Sequence, residues 1–215
     1  MIDNQASAST ESSNLKAKKS PKGEQDDIVL WREFRNGDYT AFNLLYKKYV
    51  KNLYNFGRRI STDEQLVEDA IHDFFIDLWR NRSTLGDAFS LKYYLMKGLK
   101  RKLVKIISKE KRNLDTDALG DYTFEVVFSH EAFIIDQQIS KEQKEALERC
   151  LADLTDRQRE ALYLRYFEGL CYEEIASMMS ISMKRAYNLV NIGIAVLRKK
   201  LVSCILFICL AILLI

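Results

Sequence analysis

The sequence has little of what turns, strands and metal sites require. Its 215 residues include only one proline and eight glycines. Because residues that favour helices are plentiful, an all-α fold is predicted over strand-and-turn architectures. The four cysteines form no CxxC pair and have no histidine cluster near them, which disfavours a zinc site and predicts reduced thiols. The first residues contain no apolar stretch of the kind that directs secretion, so we expect a cytoplasmic protein.

Composition divides the chain into five segments. Residues 1–27 are polar and predict a disordered tail, since they cannot bury enough apolar surface to offset the entropy of ordering. Residues 28–113 and 140–200 have helical apolar spacing and predict two small helical domains. Residues 114–139 contain acidic side chains but no lysine or arginine and predict a linker, which either threads along a basic nucleic-acid channel or serves as a spacer. Residues 201–215 are nearly all apolar.

Two apolar stripes in the first domain follow the three-and-four spacing of helices that bury one face. The first stripe is Phe42, Leu45, Tyr46, Tyr49 and Leu53, and the second is Val67, Ile71, Phe74, Phe75 and Leu78. Between residues 61 and 79 there are also six acidic side chains and no lysine or arginine. The second of these helices should therefore expose an acidic face.

The charge reverses over residues 92–112, which hold nine basic side chains and one acidic one. On a helical wheel, a leucine-rich side, from Leu91 to Leu103 with Ile106, faces inward. The opposite side carries Tyr93, Lys97, Lys100, Arg101 and Lys105. Basic residues interleaved with an aromatic suit phosphate neutralisation and base stacking, as in proteins that hold single-stranded nucleic acid. The alternative is an ordinary solvated lysine-rich face.

The apolar spacing and capping residues of the second domain predict a helix-turn-helix. A helix from about Lys141 leads to a capping box at Thr155 and Gln158, and the next helix ends at Gly169. A short helix from Tyr172 to Met179, a turn over 180–182 and a longer helix from Met183 to about Lys200 follow. The side chains available for base contacts are Met183, Lys184, Arg185, Tyr187, Asn188 and Asn191. The alternative is a helical hairpin without a ligand.

Four segments in this order resemble the extracytoplasmic-function sigma factors, particularly the short two-domain forms common in Bacteroidetes. They are NGDYTAFNLLYKKY, VEDAIHDFFIDLW, LKYYLMKGLKRKLVKIISKEKR and LTDRQREALYLRYFEGLCYEEIASMMSIS. The resemblance covers about residues 28–200. The chain departs from the family pattern at three positions. Arg101 stands where asparagine is frequent, Cys171 where serine or threonine caps a helix, and Ser180 where glycine is usual.

The resemblance implies a non-enzymatic subunit that gives RNA polymerase its promoter specificity. Core RNA polymerase and promoter DNA would be its partners, with an anti-sigma factor as a further partner, and no cofactor or metal would be needed. It makes Asp69, Asp73, Phe74, Leu78 and Trp79 candidates for the polymerase-binding surface. It also assigns Tyr93, Lys97, Lys100 and Arg101 to the minus-ten element, and Lys184, Arg185, Tyr187 and Asn188 to the minus-thirty-five element.

Two other functions would each explain part of the sequence. A stand-alone helix-turn-helix regulator would explain the second domain but would leave the acidic and basic helices of the first domain unexplained. A metal-dependent hydrolase would use carboxylates such as Asp69 and Asp73, but no histidine cluster or glycine-rich phosphate loop accompanies them. No catalytic residue is therefore predicted.

The apolar segment 201–215 follows three basic residues. As a helix it would reach only about 22 Å, short of a membrane's hydrocarbon core. A basic patch beside an apolar segment predicts reversible docking to a membrane or a partner. Packing against the protein's own helices is the alternative.

Overall fold

The structure, a computed structural model, describes the backbone of residues 22–113, 122–125 and 151–213, and the side chains of 26–109, 122–125 and 151–199. Within these ranges the regular secondary structure is helical, which confirms the predicted all-α fold. The helices are α1 (Lys22–Arg35), α2 (Tyr39–Gly57), α3 (Glu64–Asn81), α4 (Leu91–Asn113), α5 (Asp156–Leu162), α6 (Tyr172–Met179) and α7 (Met183–Leu213). A 3-10 turn, Arg82–Thr84, follows α3, and a π-helical turn, Tyr163–Phe167, continues α5.

Helices α1 to α4 form the first module, and both predicted apolar stripes lie in its core. Every member of the α3 stripe is buried, as are Leu45, Tyr49 and Leu53 of the α2 stripe. The leucine side of α4 closes the core, and Leu95, Leu99 and Leu103 have no exposed surface. Burying an apolar face is what stabilises helices of this length, because isolated helices are marginal in water.

Aromatic rings fill the end of this core where α1 meets α3. The Trp31 and Phe34 ring centroids lie 5.1 Å apart, and the Phe42 and Trp79 centroids are also 5.1 Å apart. The Trp31 indole donates to the carbonyl of Gly86 over 3.0 Å, which ties the segment after α3 to α1. These contacts fix the direction from which the chain enters α4.

Aspartates cap the N-terminal ends of α2 and α3. Asp38 caps α2 by accepting from the backbone amide of Thr40, and Asp63 caps α3 by accepting from that of Leu66. Each cap satisfies an amide that has no partner within the helix. Helix α1 begins at Lys22, so the last residues of the predicted tail are helical.

The second module is the predicted helix-turn-helix, α6 and α7, packed on α5. The capping box at Thr155 and Gln158 is present, and Gly169 adopts the left-handed φ of +71° where the preceding helix ends. Ile175 and Ala186 are completely buried where α6 and α7 cross, and Ala176 is 7% exposed. Helix α7 does not end near Lys200 as expected but continues to Leu213, since no helix-breaking residue interrupts it.

Several sequence predictions fall outside the described residues. These are the tail over 1–21, most of the acidic linker, and the start of the helix predicted from Lys141. The side chains of 201–215 also fall outside them, so docking through the apolar end of the chain stays a prediction. The domain boundaries proposed from composition likewise stay predictions.

Gly98 of α4 lies directly against the Phe74 ring of α3 and gives a test of this packing. A Cβ at Gly98 would lie 2.5 Å from Cε2 of the buried Phe74 ring. We expect Gly98→Ala to lower the free energy of unfolding by about 1–2 kcal/mol, because the steric cost exceeds alanine's helix propensity. The measurement is urea denaturation followed by circular dichroism.

Gly86→Ala is the matched control, since a Cβ there meets nothing within 4 Å. It should change the free energy of unfolding by less than about 0.5 kcal/mol. An increase in stability from Gly98→Ala would contradict the packing described.

Candidate polymerase and nucleic-acid interfaces

Helix α3 presents the predicted acidic face. The five acidic side chains of α3 and the aspartate that caps it are all exposed. They are Asp63, Glu64, Glu68, Asp69, Asp73 and Asp77. The helix period of 3.6 residues places Asp69 and Asp73 opposite the buried stripe, so the apolar face packs inward and these carboxylates reach solvent.

The structure separates the predicted polymerase-binding residues into two groups. Asp69 and Asp73 are exposed, whereas Phe74 and Leu78 are only 8% and 5% exposed and pack in the module core. Trp79 is half-buried and lies against Phe42 and the guanidinium of Arg82. As a correction to the sequence interpretation, Phe74 and Leu78 hold α3 in place and do not form part of an exposed contact surface.

Lys102 of α4 borders this acidic face. Its ammonium lies 2.7 Å from a carboxylate oxygen of Asp77 and 3.6 Å from one of Asp73. Asp69 makes no such ion pair among the described residues. The α3 face therefore keeps a net negative charge where α3 and α4 meet.

The basic side of α4 is only partly open to solvent. Arg101 and Lys105 are exposed, while Tyr93 and Lys97 are half-buried. The Lys97 ammonium donates to the Tyr93 hydroxyl over 2.8 Å, and it lies 5.3 Å from the centre of that ring. Cation and ring are thus held side by side, as contact with a phosphate and a neighbouring base would require.

Lys100 is not where the helical wheel placed it. The wheel predicted a side chain facing away from the core, but Lys100 is 8% exposed because the second module covers it. Its ammonium donates to Glu160 of α5 over 2.5 Å and to the carbonyl of Met178 in α6 over 3.0 Å. Helical periodicity reports which side of a helix faces its own module, and it contains no information about a second module on the other side.

Glu160 has a second partner from the linker. The Tyr122 hydroxyl donates to the other carboxylate oxygen of Glu160 over 2.6 Å. Burial, together with the charge of Glu160, raises the pKa of the Tyr122 hydroxyl, which therefore remains a hydrogen-bond donor. A cavity of about 660 Å³ adjoins this group and is lined by residues including Arg101, Arg157 and Ser180.

The helix-turn-helix exposes its predicted reading surface. All six side chains singled out on α7 are exposed: Met183, Lys184, Arg185, Tyr187, Asn188 and Asn191. Tyr187 is held from one side by an edge contact with Tyr172, with ring centroids 5.3 Å apart. Ser180 in the turn has φ 55° and ψ 47°, the left-handed conformation in which glycine is usual.

The comparisons with known proteins agree with this arrangement. A family model described as Sigma-70 region 2 matches residues 45–113, and one described as Sigma-70, region 4 matches residues 144–191, together more than half of the chain. The ECF RNA polymerase sigma factor SigK of Mycolicibacterium vanbaalenii is 25% identical over 175 residues, covering 80% of this chain and 87% of the relative. SigK of Mycobacterium ulcerans is 23% identical over 168 residues, covering 76% and 87%. The chain belongs to the extracytoplasmic-function sigma factors.

A solved structure shows the same fold as this sigma factor. It is the structure of CnrH in complex with the cytosolic domain of CnrY. The match covers 82% of this chain and 97% of the chain in that structure, with 18% sequence identity and a TM-score of 0.53. As in sigma factors generally, the function is transcription initiation: the subunit binds core RNA polymerase and directs it to promoters.

Metal sites and membrane spans are the other kinds of feature that the described part of the sigma factor could hold. No group of three or more histidine, cysteine, aspartate or glutamate side chains there is arranged to hold a metal ion. Nor is any of the helices searched there both long enough and apolar enough to cross a membrane. Desolvation raises the pKa of the Cys171 thiol, the described cysteine, which keeps it protonated and poorly nucleophilic.

Sequence reasoning missed the residues that join the two modules. Phe124 of the linker is fully buried, and its ring centroid lies 5.7 Å from that of Tyr163. The linker was interpreted from its charge, which hid the alternation of apolar residues at Tyr122, Phe124 and Val126. Alternation of this kind is typical of an extended segment with one buried side, and it could have indicated the contact.

Ser180 offers a test of the turn geometry. Since a left-handed residue with a Cβ is strained by roughly 1–2 kcal/mol, Ser180→Gly should raise the free energy of unfolding by about 0.5–1 kcal/mol after the entropy of glycine is subtracted. Thermal denaturation of the full chain measures this.

Ser182→Gly is the matched control. The Ser182 hydroxyl accepts from the backbone amide of Arg185 at the start of α7, so losing this hydroxyl should lower the free energy of unfolding by about 0.3 kcal/mol. Equal effects at both positions would contradict the assigned turn.

Proposed function

We propose that the sigma factor divides its work among three surfaces. The acidic face of α3 docks on core RNA polymerase through Asp69 and Asp73. The basic side of α4 captures the opened non-template strand at the minus-ten element, and the exposed start of α7 reads the duplex at the minus-thirty-five element. The observation that carries this proposal is the separation of opposite charges onto α3 and α4, two helices that share one buried core.

The charge separation supports two partners of opposite character. Exposed carboxylates on α3 would repel DNA phosphates and attract a basic protein surface. Arg101 and Lys105 on α4 would neutralise phosphates, and Tyr93 offers a ring for stacking on an unpaired base. The shared leucine core holds the two faces in a fixed relation, so that docking to polymerase would also orient α4 towards the DNA.

The α7 surface suits duplex DNA. Lys184 and Arg185 stand at the start of the helix, where a recognition helix contacts the major groove, and both are exposed. Asn188 and Asn191 can each donate to and accept from adenine in that groove. Tyr187 and Met183 add apolar contact area beside them.

The remaining parts of the proposal concern the whole protein. We propose that it has no enzymatic activity of its own and that it acts in the cytoplasm. CnrH is described in complex with the cytosolic domain of CnrY, and we propose a protein inhibitor, an anti-sigma factor, as a partner of this chain too.

Neutralising the acidic face should weaken polymerase binding. The double substitution Asp69→Asn and Asp73→Asn removes two exposed negative charges and keeps the side-chain shape, so the affinity for core RNA polymerase should fall by about tenfold or more. The measurement is fluorescence anisotropy of labelled full-length sigma factor titrated with core enzyme. Asp26→Asn with Asp87→Asn, also exposed, is the control and should leave affinity within about twofold. Equal losses for both pairs would count against α3 as the docking face.

Removing the exposed cations of α4 should impair promoter opening and leave assembly intact. We expect Arg101→Ala with Lys105→Ala to reduce open-complex formation by about tenfold or more and to make it less salt-dependent, because two phosphate contacts are lost. Permanganate footprinting of opened thymines measures this, and core binding should be unchanged. The control is Arg32→Ala with Lys47→Ala, exposed on α1 and α2. Loss of core binding together with opening would contradict the division between α3 and α4.

A further inference from the structure

Helix α7 joins two segments of different composition on one continuous backbone. Its first part packs on the second module: Ala186 and Val190 have no exposed surface, and a Cβ at Gly193 would lie 2.8 Å from Cδ1 of Leu162 in α5. The backbone then continues as an α-helix to Leu213. At 1.5 Å per residue, the whole helix is about 46 Å long.

Three basic residues stand where α7 leaves the described part of its module. Ile194 is the last described residue of α7 that packs against the buried core, and both Arg198 and Lys199 are exposed. Lys200 follows them, and the sequence contains no acidic residue after Glu174. We call residues 198–200 the basic collar, because successive residues occupy register positions about 100° apart around a helix.

Beyond the basic collar, α7 is apolar at every register position. Residues 201–213 include no charged residue, and Ser203 supplies their one hydroxyl. A helix that packs on a protein surface needs an apolar stripe on one side and keeps a polar side for water, as α7 does with Lys184 and Asn188 in its first part. A helix that is apolar on all sides needs apolar surroundings on all sides, which the interior of a lipid bilayer provides.

A membrane surface also matches the charge of the basic collar. Anionic lipids make the cytoplasmic surface negative, and that surface attracts basic residues beside an inserted segment. A helix lying flat in the interface would need a polar side, which residues 201–213 lack. These residues would therefore enter end-on, and their length of about 20 Å is less than the roughly 30 Å of the hydrocarbon core.

We propose that α7 docks the sigma factor end-on to an anionic membrane surface, with residues 201–213 among the acyl chains and the basic collar at the headgroups. This docking does not rest on the proposed function.

Docking has a consequence that does rest on the proposed function of α7. The proposed reading surface, from Lys184 to Asn191, stands only about 10 to 21 Å along the same helix from Arg198. A duplex bound there would turn phosphates towards the anionic headgroups and be repelled by them. Membrane docking therefore competes with promoter reading.

Flotation on protein-free vesicles tests the docking. The full chain is synthesised in vitro with vesicles of phosphatidylcholine and about one-third anionic phosphatidylglycerol, and a density gradient then separates floating vesicles from sinking aggregates. The full chain should float and should partition at least about a hundredfold more strongly than a chain ending at Lys200. Leu206→Glu with Leu210→Glu keeps the length of α7, removes its apolar character and should abolish flotation as well.

Equal partitioning of the full chain and the chain ending at Lys200 would overturn the proposal, as would a full chain that does not float. Sedimentation velocity would then distinguish the other occupants. A monomer would indicate that residues 201–213 pack on their own module, and a dimer would indicate that they bind a second copy.

Charge substitutions test the basic collar. Arg198→Gln with Lys199→Gln and Lys200→Gln should weaken binding to the anionic vesicles by about tenfold or more and change binding to pure phosphatidylcholine by no more than about twofold. The matched control removes three exposed charges from the first module, by Arg32→Gln with Lys47→Gln and Lys109→Gln. It should leave both affinities within about twofold. Equal losses for the two triple variants would contradict the place of the collar at the headgroups.

The cysteines of the chain report insertion directly. Cys204 and Cys209 lie within residues 201–213, whereas Cys171 is exposed on the second module. Adding the anionic vesicles should lower the labelling of Cys204 and Cys209 by a membrane-impermeant maleimide about tenfold or more, while labelling of Cys171 stays constant. Mass spectrometry of the peptides measures each site. Labelling of Cys204 and Cys209 that does not respond to vesicles would contradict insertion.

The competition is tested with the polymerase holoenzyme and a promoter duplex that it selects from random-sequence DNA. Anionic vesicles should lower promoter binding about tenfold or more for the full chain, and no more than about twofold for the chain ending at Lys200. If the chain floats but vesicles leave promoter binding unchanged, the competition is wrong and the docking stands. If Asn188→Ala with Asn191→Ala leaves promoter binding intact, reading by α7 is wrong, and the flotation result still decides the docking.

Discussion

Helix α4 has to satisfy two surroundings at once, and the rest of the molecule depends on how it does so. Its leucine side closes the core of the first module, with Leu95, Leu99 and Leu103 completely buried. The opposite side carries lysines, and one of them, Lys100, is covered by the second module. Lysine suits such a boundary, since its long stem can pack against neighbouring side chains while its ammonium group binds a carboxylate or water.

The pair formed by Lys100 and Glu160 illustrates what a buried ion pair contributes. Removing one partner would leave an uncompensated buried charge and cost about 3–5 kcal/mol, whereas the intact pair adds little net stability. The pair therefore contributes more to which groups meet in this contact than to its net stability. The Tyr122 hydroxyl donates to the second oxygen of Glu160, so the linker also takes part in this contact.

The fold was largely predictable from local patterns, and its departures have local causes. The α2 and α3 stripes predicted the core because a helix period of 3.6 residues leaves few alternatives for such spacing. The capping box at Thr155 and Gln158 and the stop at Gly169 were readable for the same reason, since both depend only on neighbours in sequence. The end of α7 was not, because a basic cluster near Lys200 resembles a helix terminus although no residue there interrupts the helix.

The sequence by itself determined the helical class, the two modules, the sign of the charge on each exposed face and membership of the sigma factor family. The first three follow from residue type and spacing along one helix at a time, and the family follows from the resemblance of four segments taken in order. Only the tertiary structure decided which candidates are accessible: Phe74 and Leu78 turn into the core, and Lys100 is covered by Glu160, sixty residues further along the chain. The physical reason is that burial by a distant module depends on how two surfaces meet, and no periodicity within α4 records that contact.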